Sequence, residues 1–204
     1  MKKYDFLVIG SGSGADFALT AAGMGHKVAL VDQGPPGGTC LNRGCIPTKI
    51  MIRSSEVAEL VRNSWSFGVR SRLEHIDLLK IWLRVQSITG HWRDQLSETL
   101  SNHKNLDFYN SRGIFKSDRV LDVGDTMIEA DRVVLAVGME PILPSIPGLS
   151  GLPFFTSDNL MEMKELPESL AILGGGYIGM EFANFFAALG TRVSVIEAGE
   201  FLLS

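Results

Sequence analysis

Two segments of the chain, residues 4–34 and 169–199, share one pattern of apolar, small and polar positions. Each begins with a short apolar run, passes through a glycine-rich turn into a stretch of small and apolar residues, and ends with a second apolar run and a carboxylate, Asp32 or Glu197. Short apolar runs on either side of a segment with helical spacing predict a strand, a helix and a second strand. The pattern therefore predicts two βαβ units and an α/β fold of doubly wound, Rossmann-like sheets.

The residues that follow the first unit predict two helices. Helical spacing of apolar residues indicates one helix from about Pro47 to Asn63 and a longer one from about His75 to Asn102, followed by a short strand at 106–109. The longer helix is expected to bury one side. The apolar residues on that side are Ile76, Leu79, Trp82, Leu83, Val85, Trp92, Leu96 and Leu100.

Residues 112–137 alternate and turn like small antiparallel strands, which predicts a β-meander attached to the first sheet. Within it we expect one short strand at Met127-Ile128 and a separate apolar strand at 133–137. Residues 141–153 contain four prolines and two glycines, a composition typical of a linker. We therefore predict a boundary between two domains, with a first domain over 1–147 and a second over 148–204.

Both glycine-rich turns have the spacing G-x-G-x-x-G/A. The first glycine permits a tight turn, the second lets a pyrophosphate approach the backbone, and the third position allows close packing of helix on sheet. The amino end of the helix faces the phosphates, and the carboxylate after the second strand accepts hydrogen bonds from ribose hydroxyls. Two copies in one chain predict two dinucleotide sites. These positions hold Gly10, Gly12 and Ala15 with Asp32, and Gly174, Gly176 and Gly179 with Glu197.

Glu197 also bears on which pyridine nucleotide the second unit prefers. A carboxylate at this position repels a 2′-phosphate, and no Arg or Lys follows it at residues 198–201. The sequence therefore favours NAD over NADP.

The chain has two cysteines, Cys40 and Cys45, separated by Leu-Asn-Arg-Gly. In a regular helix this spacing is too wide for a disulfide, so a bridge requires an unwound first turn, which Gly44 and Pro47 permit. Lys49 lies four residues beyond Cys45 on the helix expected to begin here, and its charge, with the helix amino end, favours a thiolate. We interpret the two cysteines as a redox-active pair.

Two other interpretations of the cysteines exist. Two reduced, buried thiols are the default for an intracellular protein, and a zinc site is the second alternative. Zinc normally takes four ligands, and neither the spacing of the cysteines nor the nearby sequence, which lacks histidine, fits that requirement.

Composition and charge exclude several classes of partner. The chain is 45% hydrophobic and 21% charged, with a net charge of −4, and such a chain has no surface for nucleic acid. No apolar run approaches the roughly 20 residues that cross a membrane, and the first one, Phe6 to Ile9, is too short for an export signal. We expect a cytoplasmic protein.

The motif GGTCLNRGCIPTK, with the two flanking fingerprints, resembles the class I pyridine nucleotide-disulfide oxidoreductases, and among them most resembles the dihydrolipoamide dehydrogenases. The segment LAVGMEP at residues 135–141 is similar to the family segment A-T-G-x-x-P, although Val137 stands where threonine is usual. The resemblance spans the whole chain.

The resemblance implies roles for individual residues. It implies that Cys45 contacts the flavin, that Cys40 exchanges with the substrate disulfide, and that Lys49 lies near the flavin and pairs with Glu181. The alternative for Glu181 is a first-turn glutamate that complements its helix dipole. The resemblance assigns FAD to Gly10, Gly12, Gly14, Ala15 and Asp32, with Gly38, Thr39, Lys49 and Gly138, and it assigns NAD to Gly174, Gly176, Gly179 and Glu197.

The activity implied is electron transfer from a dithiol substrate, dihydrolipoamide or the lipoyl group of a carrier domain, through the cysteine pair and FAD to NAD. The resemblance also implies a homodimer for the full-length enzyme. Mercuric, mycothione and glutathione reductases are relatives with the same mechanism, and a nucleotide-binding module without catalysis is the other alternative. Because family members are much longer, we expect an N-terminal fragment that does not turn over alone.

Overall fold

The computed structural model describes residues 1–203 and divides into two compact units. Unit 1 comprises residues 1–42 and 88–140, and unit 2 comprises residues 43–87 together with the chain from 141 onward. The α/β class expected from the sequence is confirmed. The domain boundary at 147/148 stays a prediction, and the compact units divide the chain at 42/43, 87/88 and 140/141.

Unit 1 is built on a six-stranded sheet with the strand order β3-β2-β1-β6-β5-β4. The first four strands in that order are parallel, as βαβ connections require, and the last three form the antiparallel meander. The strands are β1 (Lys2–Ile9), β2 (Val28–Val31), β3 (Leu106–Tyr109), β4 (Ile114–Ser117), β5 (Val120–Asp122) and β6 (Met127–Leu135).

A separate apolar core covers each face of this sheet. On one face, Val8, Val28 and Leu30 pack with the alanines of helix α1 (Ser13–Gly23) and with Leu100. The alternate residues of the same strands pack on the other face with the meander. Both faces of the parallel strands are therefore buried, which explains why β1 and β2 appear in the sequence as continuous apolar runs.

Unit 2 contains a two-stranded parallel sheet and the helices that pack around one apolar core. In that core Phe185 and Phe186 are fully buried, and the indole Nε1 of Trp82 donates to the carbonyl oxygen of Met163 at 2.7 Å. The elements are helix α3 (Cys45–Asn63), strand β7 (Ser169–Leu173), helix α5 (Tyr177–Leu189) and strand β8 (Arg192–Ile196), with the beginning of helix α4 (Leu78–Asn102). A further helix, α2 (Gly38–Asn42), belongs to unit 1.

Three local predictions need correction. The strands expected at 127–128 and 133–137 are one strand, β6. Helix α4 begins at Leu78 rather than near 75, because Asp77 Oδ1 accepts the backbone N–H of Lys80 at 2.9 Å and so satisfies an amide of the first turn. On α4, Leu79, Leu83 and Trp92 are exposed, whereas Trp82, Val85 and Leu100 are buried as expected.

Across the described chain, none of the helices combines the length and apolar character that crossing a membrane requires.

Candidate cofactor-binding turns and cysteine segment

The first glycine turn continues the pairing of β1 with β2, since the N–H of Gly10 donates to the carbonyl oxygen of Val31 at 2.8 Å. Gly10 has a φ of +100°, and a Cβ at this position would lie 2.1 Å from the carbonyl oxygen of Ala136. Both the backbone conformation and the close approach exclude a larger residue here. The segment LAVG, which contains Ala136, is thus packed against the first glycine turn.

The same turn receives the segment that precedes the cysteines. The N–H of Gly37 lies 3.2 Å from both the carbonyl oxygen and Oγ of Ser11, and a Cβ on Gly38 would lie 2.6 Å from the Cα of Gly12. Helix α1 has Gly12 as its N-cap, with no side-chain hydrogen bond to the first turn. The N–H of Ala15 donates to the carbonyl oxygen of Gly12 at 3.1 Å, which leaves the N–H groups of Ser13 and Gly14 for an external acceptor. An anion such as pyrophosphate fits that requirement.

Three more predicted positions lie around this turn. Ala15 is buried against the sheet, and a Cβ on Gly14 would touch Val8 and Ala136 at 3.0 Å. Gly138 has open space around it, with nothing within 4 Å of a Cβ built there. Unit 1 therefore brings the glycines assigned to FAD to one end of the sheet.

Asp32, which follows β2, is bound to the turn itself. Its Oδ2 accepts the N–H and the Oγ–H of Ser11 at 2.7 and 2.6 Å, and its Oδ1 accepts the N–H of Gly34 at 2.9 Å. An ionised carboxylate has about four acceptor positions, so one remains for a ribose hydroxyl. These bonds orient the carboxylate beside the turn before any ligand binds.

The second glycine turn has the same construction. The N–H of Gly174 donates to the carbonyl oxygen of Ile196 at 2.8 Å, and Gly174 has a φ of +103°. A Cβ on Gly179 would lie 2.1 Å from the carbonyl oxygen of Gly174, so the third glycine is required for helix and turn to pack. Gly176, in contrast, has nothing within 4 Å of a Cβ position and is the N-cap of α5 without a side-chain hydrogen bond. This open backbone fits a pyrophosphate.

Glu197 occupies in the second turn the place that Asp32 occupies in the first. Its Oε2 accepts the N–H of Gly175 at 2.6 Å and its Oε1 accepts the N–H of Gly199 at 2.7 Å. The hydrogen bond from Gly199, followed by that from Gly175, lowers the pKa of Glu197. The stability that these bonds add is present above the ordinary pKa of glutamate and is lost as the pH falls through the lowered value. The carboxylate is charged at neutral pH.

The cysteine segment contains two helices where the sequence indicated a single one. Cys40 lies in α2, Cys45 is the first residue of α3, and the helices are separated by Arg43 and Gly44. Gly44 is the N-cap of α3, with no side-chain cap. Both cysteines are exposed, as a thiol that exchanges with a substrate must be, and Thr39 beside them is exposed too. Exposure is contrary to the interpretation of two buried thiols.

Within unit 2, the structure brings Lys49 and Glu181 together, 132 positions apart in the sequence. The Nζ of Lys49 forms an ion pair with Oε1 of Glu181. Glu181 is the fifth residue of α5, so it lies beyond the first turn, and complementing the helix dipole does not account for it. The contact implied by the resemblance is present, and the role of the pair beside a flavin stays a prediction.

A second ion pair in unit 2 was not expected from the sequence. The guanidinium of Arg43, between the two cysteines in the chain, lies 3.1 Å from Oδ2 of Asp158. No motif connects these residues, and only the fold brings them together. Over residues 1–203 we find no group of three or more His, Cys, Asp and Glu side chains arranged to hold a metal ion.

Comparisons with known proteins agree with this geometry. A family profile described as pyridine nucleotide-disulphide oxidoreductase matches residues 4–204. The chain is 37% identical over 206 residues to a dihydrolipoyl dehydrogenase of Chlamydia muridarum, covering 98% of this chain and 44% of that protein. It is 32% identical over 201 residues to a mercuric reductase of Bacillus cereus, covering 98% of this chain and 32% of the relative.

A third relative and a solved structure are similar to the chain over almost its whole length. A mycothione reductase of Mycobacterium tuberculosis is 36% identical over an alignment of 214 positions, which covers 100% of this chain and 45% of that protein. Among solved structures, the HOCl-induced flavoprotein disulfide reductase RclA from Escherichia coli superposes with a TM-score of 0.83 at 32% identity, over 98% of this chain and 43% of that one. The chain thus spans between about a third and a half of the length of each of these proteins.

Proposed function

Because the chain belongs to the pyridine nucleotide-disulphide oxidoreductase family, we propose that it carries the FAD-binding and dithiol-bearing part of an NAD-dependent disulfide oxidoreductase. The observation that carries this proposal is the combination of two equivalent glycine turns with one exposed cysteine pair in the same chain. In such an enzyme the dithiol donates an electron pair, FAD carries it, and NAD is the final acceptor.

The first turn suits FAD and the second suits NAD. Support comes from the uncapped amino ends of α1 and α5 and from the carboxylates of Asp32 and Glu197, which the backbone amides orient next to each turn. When bound, the flavin supplies an electron-pair acceptor and the nicotinamide supplies a hydride carrier, and the protein supplies their binding and orientation.

The chemistry assigned to the chain's own residues is thiol–disulfide exchange. One thiolate of the substrate attacks Cys40 in the oxidised pair, which forms a mixed disulfide and releases the sulfur of Cys45 as a thiolate. The second thiolate of the substrate then attacks the substrate sulfur of the mixed disulfide. An S–S bond forms within the substrate, and Cys40 is released as a thiolate. The substrate leaves as a disulfide, and its two electrons remain on the cysteine pair.

We assign a positioning role to the pair of Lys49 and Glu181. Lys49 lies one helical turn beyond Cys45 on α3, on the same side of the helix. The side chain of Lys49 is 63% exposed and that of Glu181 is 31% exposed, so the ion pair adds little to stability. Its contribution is instead to hold an ammonium group near the amino end of α3.

We propose dihydrolipoamide, free or on the lipoyl group of a carrier domain, as the substrate, and the 37% identity to a dihydrolipoyl dehydrogenase supports it. The mercuric and mycothione reductase relatives support the alternatives, mercuric ion and mycothiol disulfide. Glutathione is disfavoured by Glu197 because glutathione reductases usually use NADP. A non-catalytic nucleotide-binding module is the remaining alternative. A cytoplasmic homodimer is our proposal for the longer enzyme.

Flavin uptake tests the proposed function directly. We expect the purified chain to quench the fluorescence of added FAD with saturation below about 0.1 mM, and to bind FMN at least tenfold more weakly because FMN lacks the pyrophosphate and the ribose of the adenosine. The measurement is a fluorescence titration with each flavin. Equal binding of FAD and FMN, or no binding of either in this range, would contradict the assignment of the first turn.

Neutralising Glu197 is expected to reduce the preference for NAD. In Glu197→Gln the charge that repels a 2′-phosphate is lost, so the ratio of NADP to NAD affinity should rise about tenfold. Saturation-transfer NMR with each nucleotide measures the ratio. The matched change in the first turn, Asp32→Asn, should leave the ratio of NADP to NAD affinity unchanged. If both variants shift the ratio equally, Glu197 does not discriminate between the nucleotides.

A further inference from the structure

Lysines gather where three neighbouring parallel strands of unit 1 begin. β1 begins at Lys2, Lys27 directly precedes β2, and Lys104 stands two residues before β3. Because β1 pairs with β2 and β2 with β3 in parallel, these three starts lie at one edge of the sheet. Lys3 joins them, so that four of the chain's eight lysines line one pocket of about 200 Å³. The remaining lining residues are Tyr4, Asn105 and Asp107.

This concentration of positive charge is local. The chain as a whole has a net charge of −4, yet the residues that line the pocket include four lysines and a single acidic residue, Asp107. A concave surface with one predominant sign of charge attracts ions of the opposite sign. The pocket therefore suits an anion.

Two of the four ammonium groups are already paired with carboxylates. The Nζ of Lys2 lies 3.2 Å from Oδ2 of Asp107, and the Nζ of Lys3 lies 3.4 Å from Oε2 of Glu129. Among the ion pairs of residues 1–203, none includes Lys27 or Lys104. These two lysines precede adjacent strands and have their charges available for a ligand.

The carboxylate of Asp107, whose side chain is 51% exposed, is held in place by Tyr4 and Lys2. Tyr4, only 7% exposed, donates its Oη–H to Oδ2 of Asp107 at 2.5 Å and meets the Oη of Tyr109 at 2.5 Å. The bond from Tyr4, with that from Lys2, lowers the pKa of Asp107. Asp107 is therefore a charged group already bonded to Tyr4 and Lys2, and it forms no ion pair with Lys27 or Lys104. The carboxylate of Asp5 accepts the backbone N–H of Lys27 at 2.7 Å and forms no ion pair with the ammonium group of that lysine.

We propose that this pocket binds a small phosphate-bearing anion through Lys27 and Lys104. The ammonium of lysine is a compact point charge with three donors and suits the oxygens of a phosphate. The pocket is a different place from the first glycine turn: β1 begins beside it and ends next to Gly10, and eight extended residues span about 26 Å. The ligand is therefore an additional one, beyond the FAD assigned to that turn.

The test is a titration of the isotope-labelled chain with inorganic pyrophosphate, followed by two-dimensional amide NMR. We expect saturable shifts of the amides of residues 26–28 and 103–106. In the double variant Lys27→Gln/Lys104→Gln these shifts should require about tenfold more pyrophosphate. The loss of two exposed charge contacts accounts for a change in affinity of this size. Shifts at the glycine turns should remain as in the unsubstituted chain, which separates this pocket from the dinucleotide sites.

The control variant Lys80→Gln/Lys164→Gln removes the same charge from two exposed lysines of unit 2 and should leave the pocket shifts unchanged. A dispersed spectrum shows that each variant folds. Shifts confined to the glycine turns, or equal weakening in both double variants, would overturn the proposal. Binding to phosphatidylglycerol vesicles without any response to pyrophosphate would overturn it as well, because the site would then recognise a lipid surface.

Discussion

Cys45→Ser is expected to prevent the disulfide that we propose Cys40 and Cys45 form on oxidation and, in an enzyme that carries this segment, to lower dithiol oxidation by about 10³-fold or more. The reason is that the exchange assigned to Cys40 needs a second sulfur to release, and the chain has no third cysteine to replace it. After mild oxidation of the unsubstituted chain, neither thiol should react with an alkylating agent, and mass spectrometry should find it two hydrogens lighter. In Cys45→Ser, Cys40 should stay alkylatable or form a disulfide with Cys40 of a second copy of the chain.

Two companion variants make this experiment interpretable. Cys40→Ser should lose the bridge to the same extent, since either sulfur alone is insufficient. Ser66→Cys adds an exposed thiol on unit 2, outside the motif, and that thiol should remain alkylatable while the natural pair is protected. An oxidised chain whose natural cysteines both stay alkylatable would exclude the proposed dithiol chemistry.

Gly10→Ala is expected to destabilise unit 1 by at least about 3 kcal/mol and to eliminate FAD binding. An alanine there combines a left-handed backbone, with φ of +100°, and a Cβ only 2.1 Å from the carbonyl oxygen of Ala136. Either the turn or the segment of Ala136 must move, and both belong to the surface assigned to the flavin. A loss of this size is a large part of the free energy of unfolding of a typical domain, which is about 5–15 kcal/mol. Denaturant unfolding, followed by NMR signals from unit 1, measures it.

The control is the same substitution at another glycine of unit 1. Gly90 lies inside α4 with nothing within 4 Å of a Cβ position, so Gly90→Ala should stabilise unit 1 by about 0.5–1 kcal/mol through helix propensity. The two variants carry the same substitution at different positions of unit 1. They are expected to change its free energy of unfolding in opposite directions. If Gly10→Ala unfolds at the same denaturant concentration as the unsubstituted chain, the turn does not have the close packing described above.

The features that the sequence predicted correctly are local ones. β1, α1 and β2, and likewise β7, α5 and β8, follow from the change between short apolar runs and helical spacing, each within about 30 residues. The glycine positions follow from the steric demands of a tight turn, and those demands are a property of the turn itself. Lys49 and Glu181 are a partial exception, because only the family resemblance paired two residues so distant in the chain.

The features that the sequence did not predict depend on distant contacts. The side of α4 that carries Leu79 and Leu83 is as apolar as the side that carries Trp82, and only the packing around Phe185 determines which of them is buried. Residues 43–87 belong with the chain beyond 140 because their apolar side chains share one core, which no local pattern indicates.

The ion pair of Arg43 with Asp158 and the lysine pocket were missed for the same reason. Each joins residues from separate parts of the sequence, and a charged residue on its own indicates only an exposed position. For the lysines, the parallel order of β1, β2 and β3 is the missing information, since it is the sheet that brings three strand starts to one edge.

A redox titration of the chain in buffers of oxidised and reduced dithiothreitol, with alkylation and intact mass as the readout, shows whether Cys40 and Cys45 form a reversible two-electron store. We expect both thiols to disappear together in one transition of slope about 30 mV per tenfold change in ratio, at a potential above about −300 mV. Two thiols that titrate separately, or that stay alkylatable at every potential, would contradict this expectation.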